Sequence, residues 1–210
     1  MLILHVGDIA NDVVALNCRF WKLVRRMGSH DPNLASAYCG VSPRLAVMVA
    51  SMPHEDIARL SDIPVLAFGV RTRDVLDNCL VEVAAYSYAD YMRSKLTKSL
   101  LPTDIAFAYQ QFNYAYYTVS RDVVRLDPAL AVTYVQHTPK TLGYFARLDI
   151  DKLELASLND GVQYEVRSPK VIERTAEALI QGASPHVITA LHMANLCSPG
   201  ILKDVANVRT

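Results

Sequence analysis

The chain has no excess of charge of either sign: 21 Lys and Arg residues face 21 Asp and Glu residues over 210 positions. The balance holds in each half, with 11 basic and 10 acidic side chains in residues 1–100 and 10 and 11 in residues 101–210. Phosphate contacts supply most non-specific DNA affinity, and basic domains usually carry them. On its totals the chain should therefore grip DNA weakly by itself. Cysteines are few (Cys18, Cys39, Cys79 and Cys197) and show no paired spacing. They read as reduced thiols, which points to a cytoplasmic setting. Asp, Arg and Lys interrupt every apolar stretch, so no membrane span is expected. The opening MLILHVGDIAND lacks a basic flank and meets Asp8 too soon for a signal peptide.

Catalytic signatures are missing as well. The sequence holds no Walker loop, dinucleotide-binding glycine pattern or nucleophile elbow. His186, His192 and Cys197 fall close together, but their spacing does not suit a zinc finger. The acidic pair Glu55-Asp56 sits at an expected helix start, where carboxylates favour the positive end of the dipole. The sequence thus predicts no enzyme, no cofactor or metal in this chain, and no small-molecule substrate.

What is present is a repeat. Asp31-Pro32-Asn33-Leu34-Ala35-Ser36-Ala37-Tyr38 recurs as Asp127-Pro128-Ala129-Leu130-Ala131-Val132-Thr133-Tyr134, an offset of 96 residues. Without a gap, the same offset carries Asp8-Ile9-Ala10 onto Asp104-Ile105-Ala106, Asn17 onto Asn113 and Arg25 onto Arg121. It also carries Pro43 onto Pro139, Ala50 onto Ala146 and Val70-Arg71 onto Val166-Arg167. Chance matches do not keep one register over this length.

Each copy opens with a long helix. Ile9, Val13, Leu16, Phe20, Leu23 and Met27 form one apolar stripe, matched by Ile105, Tyr109, Phe112, Tyr116, Val119 and Val123. This spacing suits a seam between two packed helices, so the simplest arrangement is an intramolecular pseudo-dimer. Its seam would hold Phe20, Leu23, Tyr116 and Val119, with Phe68 and Tyr164 close to the axis. The alternative is that each stripe faces its own unit's core. The aromatic cluster at Tyr109, Phe112, Tyr114, Tyr116 and Tyr117 favours core packing over base stacking for the same reason of helical spacing.

Ser42-Pro43 and Thr138-Pro139 each place a capping hydroxyl before a proline, which marks a helix start. Breaks at Met52-Pro53 and Leu148-Asp149 separate a pair of short helices in each copy. Period-two alternation then predicts short extended segments near 65–71 and 161–167. Residues 73–100 read as helical, and Leu101-Pro102-Thr103-Asp104 breaks that helix and caps the next. Ser168-Pro169 starts another helix, and a last one follows Pro185. The expected class is mainly α, with a first unit at 1–78, a helical linker at 79–103, a second unit at 104–182 and a C-terminal helical extension at 183–210.

The first copy carries the pattern Asn17, the Leu23–Arg26 helix end, Ala35, Gly40-Val41, Leu45-Ala46, Val49-Ala50, Leu60-Ser61, Leu66 and Arg71. In this pattern the units resemble FlhD, the subunit that pairs with FlhC in the bacterial flagellar transcription activator. The second copy keeps Asn113, Ala131, Ala146, Leu155-Ala156 and Arg167, but has Gln136-His137 where the pattern has glycine and an aliphatic residue. FlhD carries a cysteine in its extended segment that can link two subunits; here Phe68 and Tyr164 stand at those positions. Backbone linkage of the two copies removes the need for such a bridge.

The resemblance implies a transcription-regulator subunit that reaches promoter DNA through an FlhC-like partner, for motility or conjugative-transfer genes. Any zinc would belong to that partner. A different output of the same fold is an anti-activator that sequesters an FlhC-like protein without binding DNA. The candidate DNA or partner contacts are Arg71, Arg73, Arg93, Lys95, Lys98, Arg167 and Lys170, basic side chains at the ends of the expected segments.

Overall fold

The computed structural model describes residues 6–87, 89–91, 99–135 and 137–196. They are mainly helical: α1 (Val6–His30), α2 (Pro32–Cys39), α3 (Pro43–Ser51), α4 (His54–Ser61), β1 (Phe68–Val70) and α5 (Arg73–Ala85) come first. Then follow α6 (Thr103–Leu126), α7 (Pro128–Tyr134), α8 (Pro139–Arg147), α9 (Ile150–Ser157), β2 (Tyr164–Val166), α10 (Pro169–Ile180) and α11 (Pro185–Leu196). The strands form a two-stranded sheet. Among the described residues, no single helix is long and apolar enough to cross a membrane.

The 96-residue offset carries through to the local geometry. Asp31 and Asp127 both cap from an extended backbone, at φ −156° ψ 118° and φ −156° ψ 113°. Ser42 Oγ accepts from Leu45 N (3.1 Å), and Thr138 Oγ1 accepts from Thr141 N (3.2 Å). Both caps precede a proline in the first turn, where its missing N–H costs nothing. Glu55 and Asp56 lie in the first turn of α4, as their charge requires.

Two expectations need correction. Residues 73–100 do not form one helix. α5 ends at Ala85, and Tyr86 turns to an extended φ −94° ψ 151°. Ser87 then starts a new turn: its Oγ accepts from Asp90 N (3.3 Å) and donates to Asp90 Oδ2 (2.6 Å). That local cap competes with continuing the helix. At the other end, α6 starts at Thr103 with no side-chain cap bond.

The chain packs as two compact units that do not coincide with the two copies. Unit 1 comprises Met1–Gly69 and Tyr164–Thr210, and unit 2 comprises Val70–Gln163. In unit 1, α1 packs on α2, α3 and α4 of its own copy, while α3 and α4 also receive α10 from the second copy. In unit 2, α6 packs on α7, α8 and α9, while α8 and α9 receive α5 from the first copy. The copies have exchanged their tail helices.

Matched polar contacts pin both tails. In unit 1 Ser42 Oγ donates to Glu173, and Arg44 pairs with Glu177. In unit 2 Thr141 Oγ1 donates to Asp77 (2.8 Å), and Lys140 pairs with Asp77 (3.2 Å). Position 77 is the repeat equivalent of 173, so the same carboxylate position holds each tail to a helix start.

Both apolar stripes are buried almost throughout. Ile9, Val13, Leu16, Phe20, Leu23 and Met27 are buried, and Trp21 and Val24 widen the arc. In unit 2, Ile105, Tyr109, Phe112, Tyr116 and Val123 are buried, with Val119 half-buried. Tyr117 joins them against Phe145, so these aromatic rings are core. Within unit 1, Phe20 stacks on Phe68 (4.5 Å, 17°), and Phe68 meets Tyr164 edge-on (5.7 Å, 87°).

A buried asparagine organises the loop before the strand in each copy. Asn17 Nδ2 donates to Ile63 O (3.1 Å) and Val65 O (2.8 Å), and its Oδ1 accepts from Ala67 N (2.8 Å). Asn113 Nδ2 donates to Ser157 O and Asn159 O, both at 3.3 Å. Gly40 is the position where glycine is needed. It sits at φ +62°, and a Cβ there would lie 2.7 Å from Glu165 Cα.

Candidate nucleic-acid and partner interface

The repeat-matched arginines stand at the ends of the strands and have different surroundings. In unit 2, Arg71 N donates to Gln163 O (2.8 Å), and its guanidinium donates to Gln163 Oε1 (2.6 Å). Arg71 is exposed. In unit 1, Arg167 N donates to Ala67 O (2.9 Å), and its guanidinium lies along Gly69, where an added Cβ would sit 3.1 Å from Nη2. Arg167 is half-buried. Arg71 and Arg167 thus occupy equivalent strand ends with different exposure.

Arg73 is exposed at the first residue of α5, two positions from Arg71, and Lys170 is exposed at the second residue of α10. Arg93, Lys95 and Lys98 lie outside the described residues. The structure thus gathers Arg71 with Arg73 on one segment of unit 2, and Arg167 with Lys170 on one segment of unit 1.

A basic face was missed at the level of sequence. On α1, Arg19, Lys22 and Arg26 are all exposed and fall at i, i+3 and i+7, which is one side of the helix. Half-buried Arg25 lies beside them, 3.3 Å from His54 Nδ1. No carboxylate occurs in α1 after Asp12. The signal was readable as a helical spacing of cations with no intervening acid. Summing charge over half the chain concealed it.

Of the histidine–cysteine trio, His186 is exposed, His192 is half-buried, and Cys197 lies outside the described residues. Among the described residues, no group of three His, Cys, Asp or Glu side chains could hold a metal ion. Burial pushes the His192 imidazole below the ordinary histidine value of 6.5, against an opposing pull from Asp62. The folded state thus binds the His192 proton less readily than the unfolded chain does. Stability of unit 1 should accordingly fall as pH drops through and below 6.5, and recover above it. His192→Gln should flatten this slope in urea denaturation between pH 5 and 8. An unchanged slope would assign the dependence to other groups.

No protein-family model, curated protein or solved structure matches this chain. The resemblance to FlhD therefore rests on the residue pattern quoted above. Most of that pattern is packing: Asn17, Ala35, Leu45, Ala46, Val49, Leu60, Ser61 and Leu66 are all buried. In the second copy Asn113, Ala131, Leu155 and Ala156 are buried too. Arg26 and Arg71 are exposed members of the set.

Proposed function

We propose that the chain is a non-catalytic, FlhD-like transcription-regulator subunit of the cytoplasm. In this reading its two copies form an intramolecular pseudo-dimer that acts with an FlhC-like zinc protein on promoter DNA. The observation that carries the pseudo-dimer is the set of bonds at the strands. Shifting residue numbers by 96 turns the Arg167 N–Ala67 O bond into the Arg71 N–Gln163 O bond, donor for donor. Phe68 and its own repeat equivalent Tyr164 are in ring contact. Contact between self-equivalent residues supports a pairing of the two copies. Joining the units in one chain makes that pairing independent of concentration.

The regulatory role draws on the FlhD-like pattern and on the exposed cations at Arg71, Arg73 and Lys170. The test is co-expression with an FlhC-like protein bearing a four-cysteine zinc pattern, encoded nearby. The expected result is a stable complex that shifts promoter DNA at physiological salt, while this chain alone does not. A complex that forms but blocks the partner's DNA binding would instead identify an anti-activator. Failure to bind any FlhC-like protein would overturn the reading.

A further inference from the structure

We propose that α10 of one chain closes unit 1 of a second copy, giving a reciprocal tail-exchanged dimer driven by the strained hinge at Ser168. This concerns self-association and stands independently of the regulatory reading.

The tails are built for exchange. Unit 1 takes α10 on α3 and α4, helices that lie more than a hundred residues before it in the chain. The two tail helices bury the same repeat positions: Leu76, Cys79, Leu80 and Val83 of α5 match Ile172, Thr175, Ala176 and Leu179 of α10. The same carboxylate position holds each of them, Asp77 in one and Glu173 in the other. Such a seat recognises the helix and not the chain that supplies it. An α10 from a second copy would therefore restore every contact of the chain's own α10, Ser42–Glu173 and Arg44–Glu177 included. Those contacts cancel between monomer and dimer. The hinge decides the balance.

That hinge is strained in the monomer. Ser168 joins β2 to α10 at φ 49° ψ 51°, and among the described residues it is the one non-glycine with a positive φ. A left-handed backbone is disfavoured for a residue that carries a Cβ. Pro169 adds to the cost, because the residue before a proline favours an extended backbone. The first copy makes the equivalent junction without this strain: Thr72 sits at φ −95° ψ 65°, and Arg73 follows it. An extended Ser168 relaxes the hinge and carries α10 away from its own unit. Short strained hinges favour exchange of this kind. Opening is also eased further along the tail. Asn195 of α11 is buried with neither amide atom hydrogen-bonded, so the closed tail carries an unmet polar cost.

The scale follows from the tether. A tail linked to its own unit competes at an effective concentration of roughly millimolar. Relaxing one hinge favours exchange by about tenfold, and a dimer relaxes two. The expected dissociation constant is therefore about 10 µM.

The experiment refolds the full chain from urea at concentrations from about tenfold below to tenfold above that value, and reads mass by size-exclusion chromatography with light scattering. A monomer is expected at the low end and a species of twice the chain mass at the high end. Ser168→Gly should weaken the dimer about a hundredfold, since glycine adopts a positive φ without penalty, while Trp21 emission and helical content stay as in the parent. Pro169→Ala should weaken it in the same direction, which keeps the test valid if the glycine variant misfolds.

Cross-linking identifies the contact. In a Cys18→Ser, Cys197→Ser background, chains with Arg44→Cys are refolded together with chains carrying Glu177→Cys and treated with a short bismaleimide. The dimer fraction should yield a covalent pair on a denaturing gel, because these two positions meet in unit 1. A monomer at every concentration would overturn the proposal, as would an unchanged dissociation constant in both hinge variants. A dimer without the interchain link would overturn it in favour of a surface contact between intact copies.

Discussion

Asn17→Ala should destabilise unit 1 by about 4 kcal/mol, since each buried polar group left unmade costs roughly 1–3 kcal/mol. The side chain is fully buried and satisfies the carbonyls of Ile63 and Val65 and the amide of Ala67. These groups lie in the loop between α4 and β1, with few alternatives once the amide is gone. Asn17→Asp is the diagnostic change. A carboxylate still accepts from Ala67 N but cannot donate to two carbonyls, and its charge would be buried against them. It should cost at least as much as alanine. Trp21, the single tryptophan, is buried four residues along the same helix and reports the transition in urea. A loss below about 1 kcal/mol for both variants would mean that water or a shifted loop satisfies these groups.

The second large effect crosses the repeat. Ile172→Ala lies in the second copy but should lower the unfolding midpoint seen by Trp21, in the first. Leu80→Ala lies in the first copy and should weaken unit 2 instead. Ile172 and Leu80 are both fully buried on the exchanged tail helices. Truncation of a buried aliphatic side chain costs about 2–5 kcal/mol. Far-UV circular dichroism should follow both variants, and Trp21 emission should respond far more to Ile172→Ala. If Leu80→Ala moves the Trp21 midpoint equally, tail exchange does not partition stability as described.

Local signals in the sequence were sufficient to locate most elements. A hydroxyl before a proline, an aspartate before a proline and a period-four stripe are short-range features, and each fixes a boundary within a residue or two. The long helix expected over 73–100 failed at Tyr86 because Ser87 and Asp90 make a better local start than a continued helix. The exchange of tails was illegible for a different reason. α5 and α10 are equivalent helices facing equivalent cores, so no pattern within either says which core it joins. That choice depends on the path of the chain through the strands, which is a property of tertiary structure. The basic face of α1 was legible from spacing, yet a chain-wide charge sum averages a local patch against acids elsewhere. Arg71 and Arg167 read alike in sequence, yet Arg71 is exposed while Arg167 is half-buried along Gly69.

The exchanged tails also set a schedule for synthesis. Residues 1–69 leave the ribosome first, but their core lacks α10 until residues 169–180 have been made. At roughly 5–20 residues per second, the hundred or so residues between take about 5–20 s to appear. Unit 2, by contrast, is continuous in sequence and can close as soon as it emerges. The segment that precedes unit 2 in the chain is thus completed after it, and its helices stay without α10 in the interval.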